Sequence, residues 1–155
     1  MRFHLRNYRP ADLKTLWQID QQCFEPGISY SAQEMRIYLS QPGAFAVVAE
    51  IADSSEIAGF LIGQVISGSR AVKPFGYVIT IDVLTTAQRT GLGSLLLEAS
   101  EQRMRQEGCC KIVLEVAVDN APALAFYKRH GFQTVATHAG YYSNGTDAFE
   151  MEKPL

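Results

Sequence analysis

Two glycines separated by one residue, Gly91 and Gly93, lie where a segment rich in β-branched residues gives way to a segment of helix formers. Glycine at a strand-to-helix turn lets the backbone pass close to a bulky anion, and the first amides of the helix point outward beside the positive end of its dipole. Such a turn can hold a pyrophosphate. Any tight turn can also use glycine, so the pair alone fits a plain structural turn equally well.

The spacing of these glycines excludes two well-known phosphate-binding patterns. A P-loop needs a Lys-Ser/Thr pair directly after its last glycine, and none follows Gly93. A dinucleotide-binding turn needs a third glycine at the position of Leu96. If the turn binds a pyrophosphate, it does so in another family of proteins.

Glu115 interrupts the apolar segment 112–117. An ionised carboxylate in a core strand is costly unless it faces water or a partner, so we expect the pKa of Glu115 to be raised. The side chain can be structural, paired with a buried arginine or with backbone amides. It can also be a base beside the glycine turn that removes a proton from an amine, directly or through a water. Unpaired carboxylates in core strands are uncommon, which favours the base.

Asn120 and Tyr127 follow the same segment and also have two interpretations each. Asn120 precedes Ala121-Pro122, an arrangement typical of a helix N-cap, and its amide can in addition bind an extended ligand. Tyr127 lies in a short amphipathic segment where a tyrosine usually packs in the core. Its phenol, with an ordinary pKa near 10, also suits the protonation of a departing thiolate with a pKa near 8.5.

The elements that must position these residues follow from the hydrophobic pattern. We predict the following order: strand 3–8, helix 11–22, helix 31–39, strands 44–51 and 57–66, strand 77–84, a helix from the glycine turn to 107, strand 111–118, helix 121–130, and strands 132–136 and 148–153. The first half is then mostly antiparallel, and the second half is a β-α-β-α unit. The crossover between strands 77–84 and 111–118 makes this pair parallel and central in an α/β fold.

Length and composition restrict the class of protein. At 155 residues the chain is expected to form one domain, residues 1–155. A formal net charge of −2 gives no general attraction for nucleic acid, so a small or peptidic ligand is expected. No apolar segment reaches the roughly 18 residues that a membrane span needs, and residues 1–6 lack the apolar core of a signal peptide.

The three cysteines, Cys23, Cys109 and Cys110, cannot all pair within one chain. The adjacent Cys109 and Cys110 have poor spacing for zinc and no nearby histidine partner, so no metal site is expected. We interpret them as reduced, mostly buried thiols of a cytoplasmic protein.

Three segments resemble the GCN5-related N-acetyltransferase (GNAT) superfamily. Residues 88–93 match its acyl-coenzyme A pattern Gln/Arg-x-x-Gly-x-Gly/Ala. Residues 114–132 are similar to Leu-Glu-Val-x-x-x-Asn-x-x-Ala-x-x-Leu/Phe-Tyr-x-x-x-Gly-Phe, and residues 141–155 to a Tyr-Tyr-x-x-x-x-Asp-Ala-x-x-Met-x-x-x-Leu ending. Within the superfamily these segments most resemble the ribosomal-protein-alanine N-acetyltransferase branch. The match runs from about residue 77 to the end, whereas the first 70 residues fit mainly in element order.

The resemblance implies a fold and a set of roles. The expected fold is α/β (α+β), a mixed sheet of six to seven strands flanked by about four helices, whose central parallel strands splay at the acetyl-coenzyme A cleft. Glu115 would accept a proton, Tyr127 would donate one to the coenzyme A thiolate, and Asn120 would contact the coenzyme. The backbone of Ile81, Asp82 and Val83 would bind the pantetheine arm and acetyl carbonyl, and the pyrophosphate would lie on Gln88, Arg89, Thr90, Gly91, Leu92, Gly93 and Ser94.

The sequence departs from the branch pattern beside the expected acetyl site. Asp82 stands where the branch usually has a small apolar residue, and Leu84-Thr85-Thr86 replaces its usual Asp-Pro turn. A second carboxylate at this place could change the preference for amines or attract a cation. Whether the Asp82 side chain enters the site is left open.

The implied reaction is direct acetyl transfer from acetyl-coenzyme A to a primary amine. Deprotonation at pH 7 costs about 1.4 kcal/mol for an α-amine and about 4.6 kcal/mol for lysine, which favours the N-terminus of a protein such as a ribosomal protein. A small amine (a polyamine, an amino acid or an aminoglycoside) and a non-catalytic acyl-coenzyme A sensor are the alternatives. Tyr30, Tyr141 and Tyr142 either wall an acceptor groove or only pack. The chain is expected to be a monomer or homodimer.

Overall fold

The computed structural model describes all 155 residues, which form a seven-stranded sheet with helices on both faces. The strands are β1 (Phe3–Asn7), β2 (Ala44–Ile51), β3 (Ile57–Ile66), β4 (Phe75–Val83), β5 (Lys111–Ala117), β6 (Gln133–His138) and β7 (Ala148–Pro154). The helices are α1 (Leu13–Cys23), α2 (Ala32–Ser40), α3 (Leu92–Gln106) and α4 (Ala121–Arg129). None of these helices is long and apolar enough to cross a membrane.

The predicted element order is confirmed, and most bounds agree within two residues. Helix α2 begins at the predicted capping box, because Ser31 Oγ accepts from the Glu34 amide at 3.0 Å and the Glu34 carboxylate accepts from the Ser31 amide at 3.0 Å. The first helix starts two residues later than predicted. A short 3₁₀ turn, Pro10–Asp12, precedes it, and Asp12 accepts a hydrogen bond from the Arg9 amide.

The sheet has the strand order β1-β2-β3-β4-β5-β7-β6. Neighbouring strands are antiparallel except β4 and β5, which are parallel and central as predicted. Helix α3 is the crossover between these two strands. The parallel pairing is short, since only Gly76 with Ile112 and Tyr77 with Val113 are in register before the strands separate.

Two hydrophobic clusters fix the helices to opposite faces of the sheet. The larger cluster joins α3 and α4 to the sheet through buried residues such as Leu96 and Leu114. The smaller cluster joins α1 and α2 to β2 and β3 through Leu16, Met35 and Phe60. Each side chain of this size that is fully buried contributes about 1.5–3 kcal/mol to the stability of the fold. The two clusters therefore hold the sheet from both faces, including β4 and β5 in its centre.

Candidate active site

The separation of β4 and β5 opens a cavity of about 620 Å³ in the middle of the sheet. Ile79, Ile81 and Val83 line it from β4, and Leu114 to Ala117 line it from β5. Backbone groups on these facing edges have no strand partner across the opening, so an extended ligand can take their place. The same cavity reaches the glycine turn at Gln88 and Gly93 and the start of α4 at Asn120.

A β-bulge at Ile79 decides which side chains of β4 face this cavity. The register with β3 passes from Ile62–Thr80 to Gly63–Val78, so Ile79 is an extra residue. Beyond the bulge, Ile81 packs with the α3 cluster, whereas Asp82 faces the opposite side of the sheet. The Asp82 carboxyl is fully buried against Asp20 of α1 and does not line the cavity. The Asp82 side chain therefore does not enter the cavity, although the sequence allowed that it could.

The glycine turn has the geometry that an anion site requires. Gly91 adopts a left-handed backbone with φ of +85°, and α3 begins at the next residue. The amides of Gly93 and Ser94 donate no hydrogen bond within the chain, so the positive end of the α3 dipole carries free donors. Gly93 has a second reason to be glycine, because a Cβ there would lie 3.1 Å from the Phe126 ring of α4.

Two features of this turn were not predicted. Arg89 has a positive φ of 62°, which no local sequence signal indicates. Ser94 Oγ lies 2.9 Å from His130 Nε2, and this contact joins the start of α3 to the end of α4. Burial, followed by the nearby charge of Lys153, lowers the pKa of His130, so its ring is neutral at physiological pH.

Glu115 is half-buried on β5 and has no ion-pair partner, which removes the structural interpretation based on a buried arginine. Its cross-strand partner on β7 is Glu150, which binds His138 Nε2 at 2.9 Å. Burial raises the pKa of Glu115, the charge of Glu150 raises it further, and His138 acts in the opposite direction. A carboxylate with a raised pKa and a face on the cavity is a suitable proton acceptor.

Tyr127 is buried on α4 and lines the same cavity. Its ring packs edge to face with Phe126 at 5.4 Å and with Phe132 at 5.5 Å, while its hydroxyl makes no hydrogen bond within the chain. Burial raises the pKa of Tyr127, with the charge of Asp82 as the next cause. The phenol therefore stays protonated at neutral pH and holds a proton beside the cavity.

Asn120 caps α4, as its position predicted, and it also lies on the cavity wall. Its Oδ1 accepts from the Ala123 amide at 3.2 Å and so caps α4. The residue lines the cavity, and its side-chain amide Nδ2 donates to no group of the chain. One side chain can thus start the helix and still offer a donor to a ligand.

A smaller cavity of about 270 Å³ lies on the other side of Glu115 and is walled by tyrosines. Tyr30, Tyr141 and Tyr142 are three of these tyrosines, and Tyr38 and Tyr77, which sequence analysis missed, are the other two. Both missed residues lie in regular elements, where an aromatic residue usually indicates core packing. Glu115 is the sole carboxylate among the nine lining residues, and burial followed by its charge raises the pKa of Tyr141 to about 12.

The two loops above this smaller cavity touch each other. Ser143 Oγ donates to the carbonyl of Gly27 at 3.0 Å, and Asn144 Nδ2 donates to the Glu25 carboxylate at 3.1 Å. A Cβ on Gly27 would lie 2.6 Å from the Asn144 side chain, so the approach is close. This smaller cavity, called the aromatic channel below, therefore lies beneath joined loops and has one carboxylate, Glu115, in its wall.

Comparison with known proteins agrees with this geometry. The sequence profile of the acetyltransferase (GNAT) family matches residues 13–132, and the chain belongs to that family. It is similar to the N-alpha-acetyltransferase of Saccharolobus solfataricus, with 31% identity over 162 residues that cover 99% of this chain and 93% of the relative.

Two solved structures have the same fold. The crystal structure of the ribosomal-protein-S18-alanine N-acetyltransferase from Escherichia coli superimposes with a TM-score of 0.85 at 24% identity and covers 99% of this chain and 94% of its own. A chain of the NatC complex bound to Gag peptide and CoA superimposes with a TM-score of 0.83 at 26% identity and covers 100% and 99% of the two chains. The predicted GNAT fold and the expected acetyl-coenzyme A-dependent N-acetyltransferase class are confirmed.

Proposed function

We propose that this chain transfers the acetyl group of acetyl-coenzyme A to the N-terminal α-amine of a protein. The observation that carries the acceptor assignment is the smaller cavity, which has aromatic walls and one carboxylate, Glu115. A polyamine or an aminoglycoside carries several positive charges and calls for several carboxylates. A peptide N-terminus carries one amine followed by an uncharged backbone, and tyrosine rings provide flat apolar contact with polar tips for it.

The large cavity suits the coenzyme because hydrogen-bond donors without partners lie along it. The free amides of Gly93 and Ser94 would bind the pyrophosphate, the open edge of β4 at Ile81 to Val83 would pair with the pantetheine arm, and Asn120 would donate to it. Acetyl-coenzyme A supplies the acetyl group as a thioester. Both ends of the cleft have the donors that such a ligand needs, and no metal is required for them to act.

The chain's own groups then account for the proton movements. Glu115 accepts a proton from the ammonium form of the acceptor, directly or through a water, and the neutral amine attacks the acetyl carbonyl carbon. Glu115 passes this proton to solvent and then accepts the second proton from the nitrogen, as the carbon–sulfur bond breaks and the amide bond is completed. Tyr127 donates its phenolic proton to the departing sulfur, and the phenolate regains a proton from solvent. An α-amine suits this arrangement because a single carboxylate base has to offset only about 1.4 kcal/mol at pH 7.

The test is release of coenzyme A with a panel of acceptors and mass-spectrometric location of the acetyl group. The panel contains peptides with free N-termini, the same peptides with blocked N-termini and an internal lysine, and small amines. Turnover on free N-termini alone supports the proposal, whereas turnover on small amines alone overturns the acceptor assignment. Binding without turnover on any acceptor would indicate a sensor. Glu115→Gln serves as the enzyme control, since it should bind acetyl-coenzyme A and lose turnover.

A further inference from the structure

Two buried carboxyl groups that the proposed reaction does not use meet between α1 and β4. Asp20 and Asp82 are both 0% exposed and lie within hydrogen-bonding reach of each other. They are 62 positions apart in the sequence, so the fold alone brings them together. Two ionised carboxylates in contact inside an apolar interface would repel each other strongly.

Each carboxyl uses one oxygen for a neighbour and leaves the other oxygen without a donor. Asp20 Oδ2 accepts from the Tyr30 amide at 2.7 Å, and Asp82 Oδ1 accepts from the Thr80 hydroxyl. Asp20 Oδ1 and Asp82 Oδ2 are buried and have no hydrogen-bond donor. A single proton between these two oxygens satisfies both, and no other group of the chain does so.

The pair links Tyr30, in the wall of the aromatic channel, to β4, which borders the large cavity. Tyr30 is held through its amide by Asp20, and its hydroxyl donates to the carbonyl of Ile79, the bulge residue of β4. Asp82 lies three residues further along the same strand. We propose that Asp20 and Asp82 share one proton and act as a positioning pair that holds Tyr30, and with it the α1–α2 loop, against β4. The structural role of the pair is independent of the proposed function. Its expected effect on the acceptor KM rests on the proposed function.

The groups around the pair favour retention of the shared proton at neutral pH. Cys23 of α1, Tyr30 of the loop, Glu34 of α2 and Tyr127 of α4 are the titratable neighbours, and β3 carries none. Burial raises the pKa of both Asp20 and Asp82, and burial also raises the pKa of Cys23 to about 12. The Cys23 thiol and the two phenols therefore stay neutral at neutral pH, and the pair gives up its proton only when the pH rises well above the ordinary range of an aspartate. The two adjacent carboxylates then repel, and Tyr30 is released.

The experiment follows hydrogen exchange of residues 24–31 and the acceptor KM from about pH 6 to about pH 10, with exchange corrected for its intrinsic pH dependence. In the unaltered protein, protection of this loop should fall by about tenfold and the acceptor KM should rise by about tenfold at the alkaline end. The dissociation constant for acetyl-coenzyme A should change by less than about twofold, since the cleft edge at Ile81 is held by β3.

Two variants and one control separate the roles. Asp20→Asn offers an amide N–H in place of the shared proton and an oxygen for the Tyr30 amide, so protection and KM should become independent of pH. Asp20→Ala removes both and should raise loop exchange and acceptor KM by about tenfold at every pH. Asp12→Asn is the matched control: Asp12 is also buried and also accepts a backbone amide, but its partner is Arg6. It should keep the wild-type pH response.

Two results would overturn the positioning pair: an alkaline response in Asp20→Asn equal to that of the unaltered protein, or an Asp20→Ala protein with normal loop protection and KM. If Asp20→Ala fails to fold, Asp20→Asn and the control still decide. If loop exchange behaves as expected and no peptide is acetylated, the pair stands and the proposed acceptor is wrong.

Discussion

Glu115 on β5 and Glu150 on β7 are directly opposite each other in the antiparallel register, so two carboxylates face one another across the strand pair. Glu150 also binds His138, which makes this neighbour part of a short polar network rather than a free charge. The arrangement keeps a proton on Glu115 to higher pH than an exposed glutamate would.

Glu150→Gln should therefore move the acidic limb of the pH–rate profile to lower pH. The base is active when deprotonated, and the negative charge of Glu150 contributes to the raised pKa of Glu115, so removal of that charge lowers this pKa. The measurement is kcat/KM for a peptide acceptor as a function of pH. Glu152→Gln, a change on the same strand at a residue that pairs with Lys111, should leave the limb in place. A limb that stays fixed or moves upward in Glu150→Gln would remove Glu115 as the group that titrates.

Tyr127→Phe should slow acetyl transfer by about 100-fold and leave the fold intact. Phenylalanine keeps the ring contacts with Phe126 and Phe132, and the lost hydroxyl made no hydrogen bond within the chain, so the unfolding free energy should change by less than about 1 kcal/mol. Single-turnover kinetics and denaturant unfolding measure the two quantities. Tyr8→Phe, at a partly buried tyrosine that lines neither cavity, is the control. An unchanged rate in Tyr127→Phe would mean that water protonates the thiolate.

Two substitutions at Asn120 separate helix capping from coenzyme binding. Asn120→Asp keeps an oxygen for the Ala123 amide but removes the free amide donor and adds a negative charge. Aspartate caps helices as well as asparagine, so stability should change by less than about 0.5 kcal/mol while affinity for coenzyme A falls. Asn120→Ala should lose about 1 kcal/mol of stability in addition. Equal affinity for coenzyme A in the unaltered protein and both variants would leave Asn120 with the capping role alone.

Local sequence signals predicted the elements well because each signal acts within a few residues. The capping box at Ser31 and the glycine at Gly108, with φ of +80°, mark helix ends without help from the rest of the chain. The bulge at Ile79 was not predicted, since the segment 77–84 is rich in β-branched residues and nothing in it marks an extra residue. It is this bulge that turns the Asp82 side chain away from the cleft, so the departure from the family pattern could not be interpreted from the sequence.

The site was predictable to the extent that its residues belong to one continuous segment. Glu115, Asn120 and Tyr127 lie within 13 consecutive residues and all line the large cavity. The Asp20–Asp82 pair and the tyrosine wall formed by Tyr38 and Tyr77 depend on contacts between distant segments. Pair contacts of this kind are set by packing of α1 and α2 on the sheet, and no pattern of spacing in a single sequence encodes them.

The glycine turn can be tested with two substitutions that have the same intrinsic cost. Gly91 and Gly108 have φ values of +85° and +80°, and an added Cβ meets no atom within 4 Å at either position. Alanine in this left-handed conformation costs about 1–2 kcal/mol, so Gly91→Ala and Gly108→Ala should lower the unfolding free energy by similar amounts. Gly91 immediately precedes the unpaired amides at the start of α3, whereas Gly108 follows the other end of that helix.

Calorimetric titration with coenzyme A then distinguishes the two interpretations of the turn. In Gly91→Ala the methyl group should hold the pyrophosphate away from the amides of Gly93 and Ser94, and the dissociation constant should rise by about tenfold, or about 1.4 kcal/mol. Gly108→Ala should bind with unchanged affinity because its strain lies at the opposite end of α3. Equal affinity in both variants would show that the turn is only structural. An equal loss in both would assign the effect to general destabilisation, and the pyrophosphate would then have to lie elsewhere along the cleft.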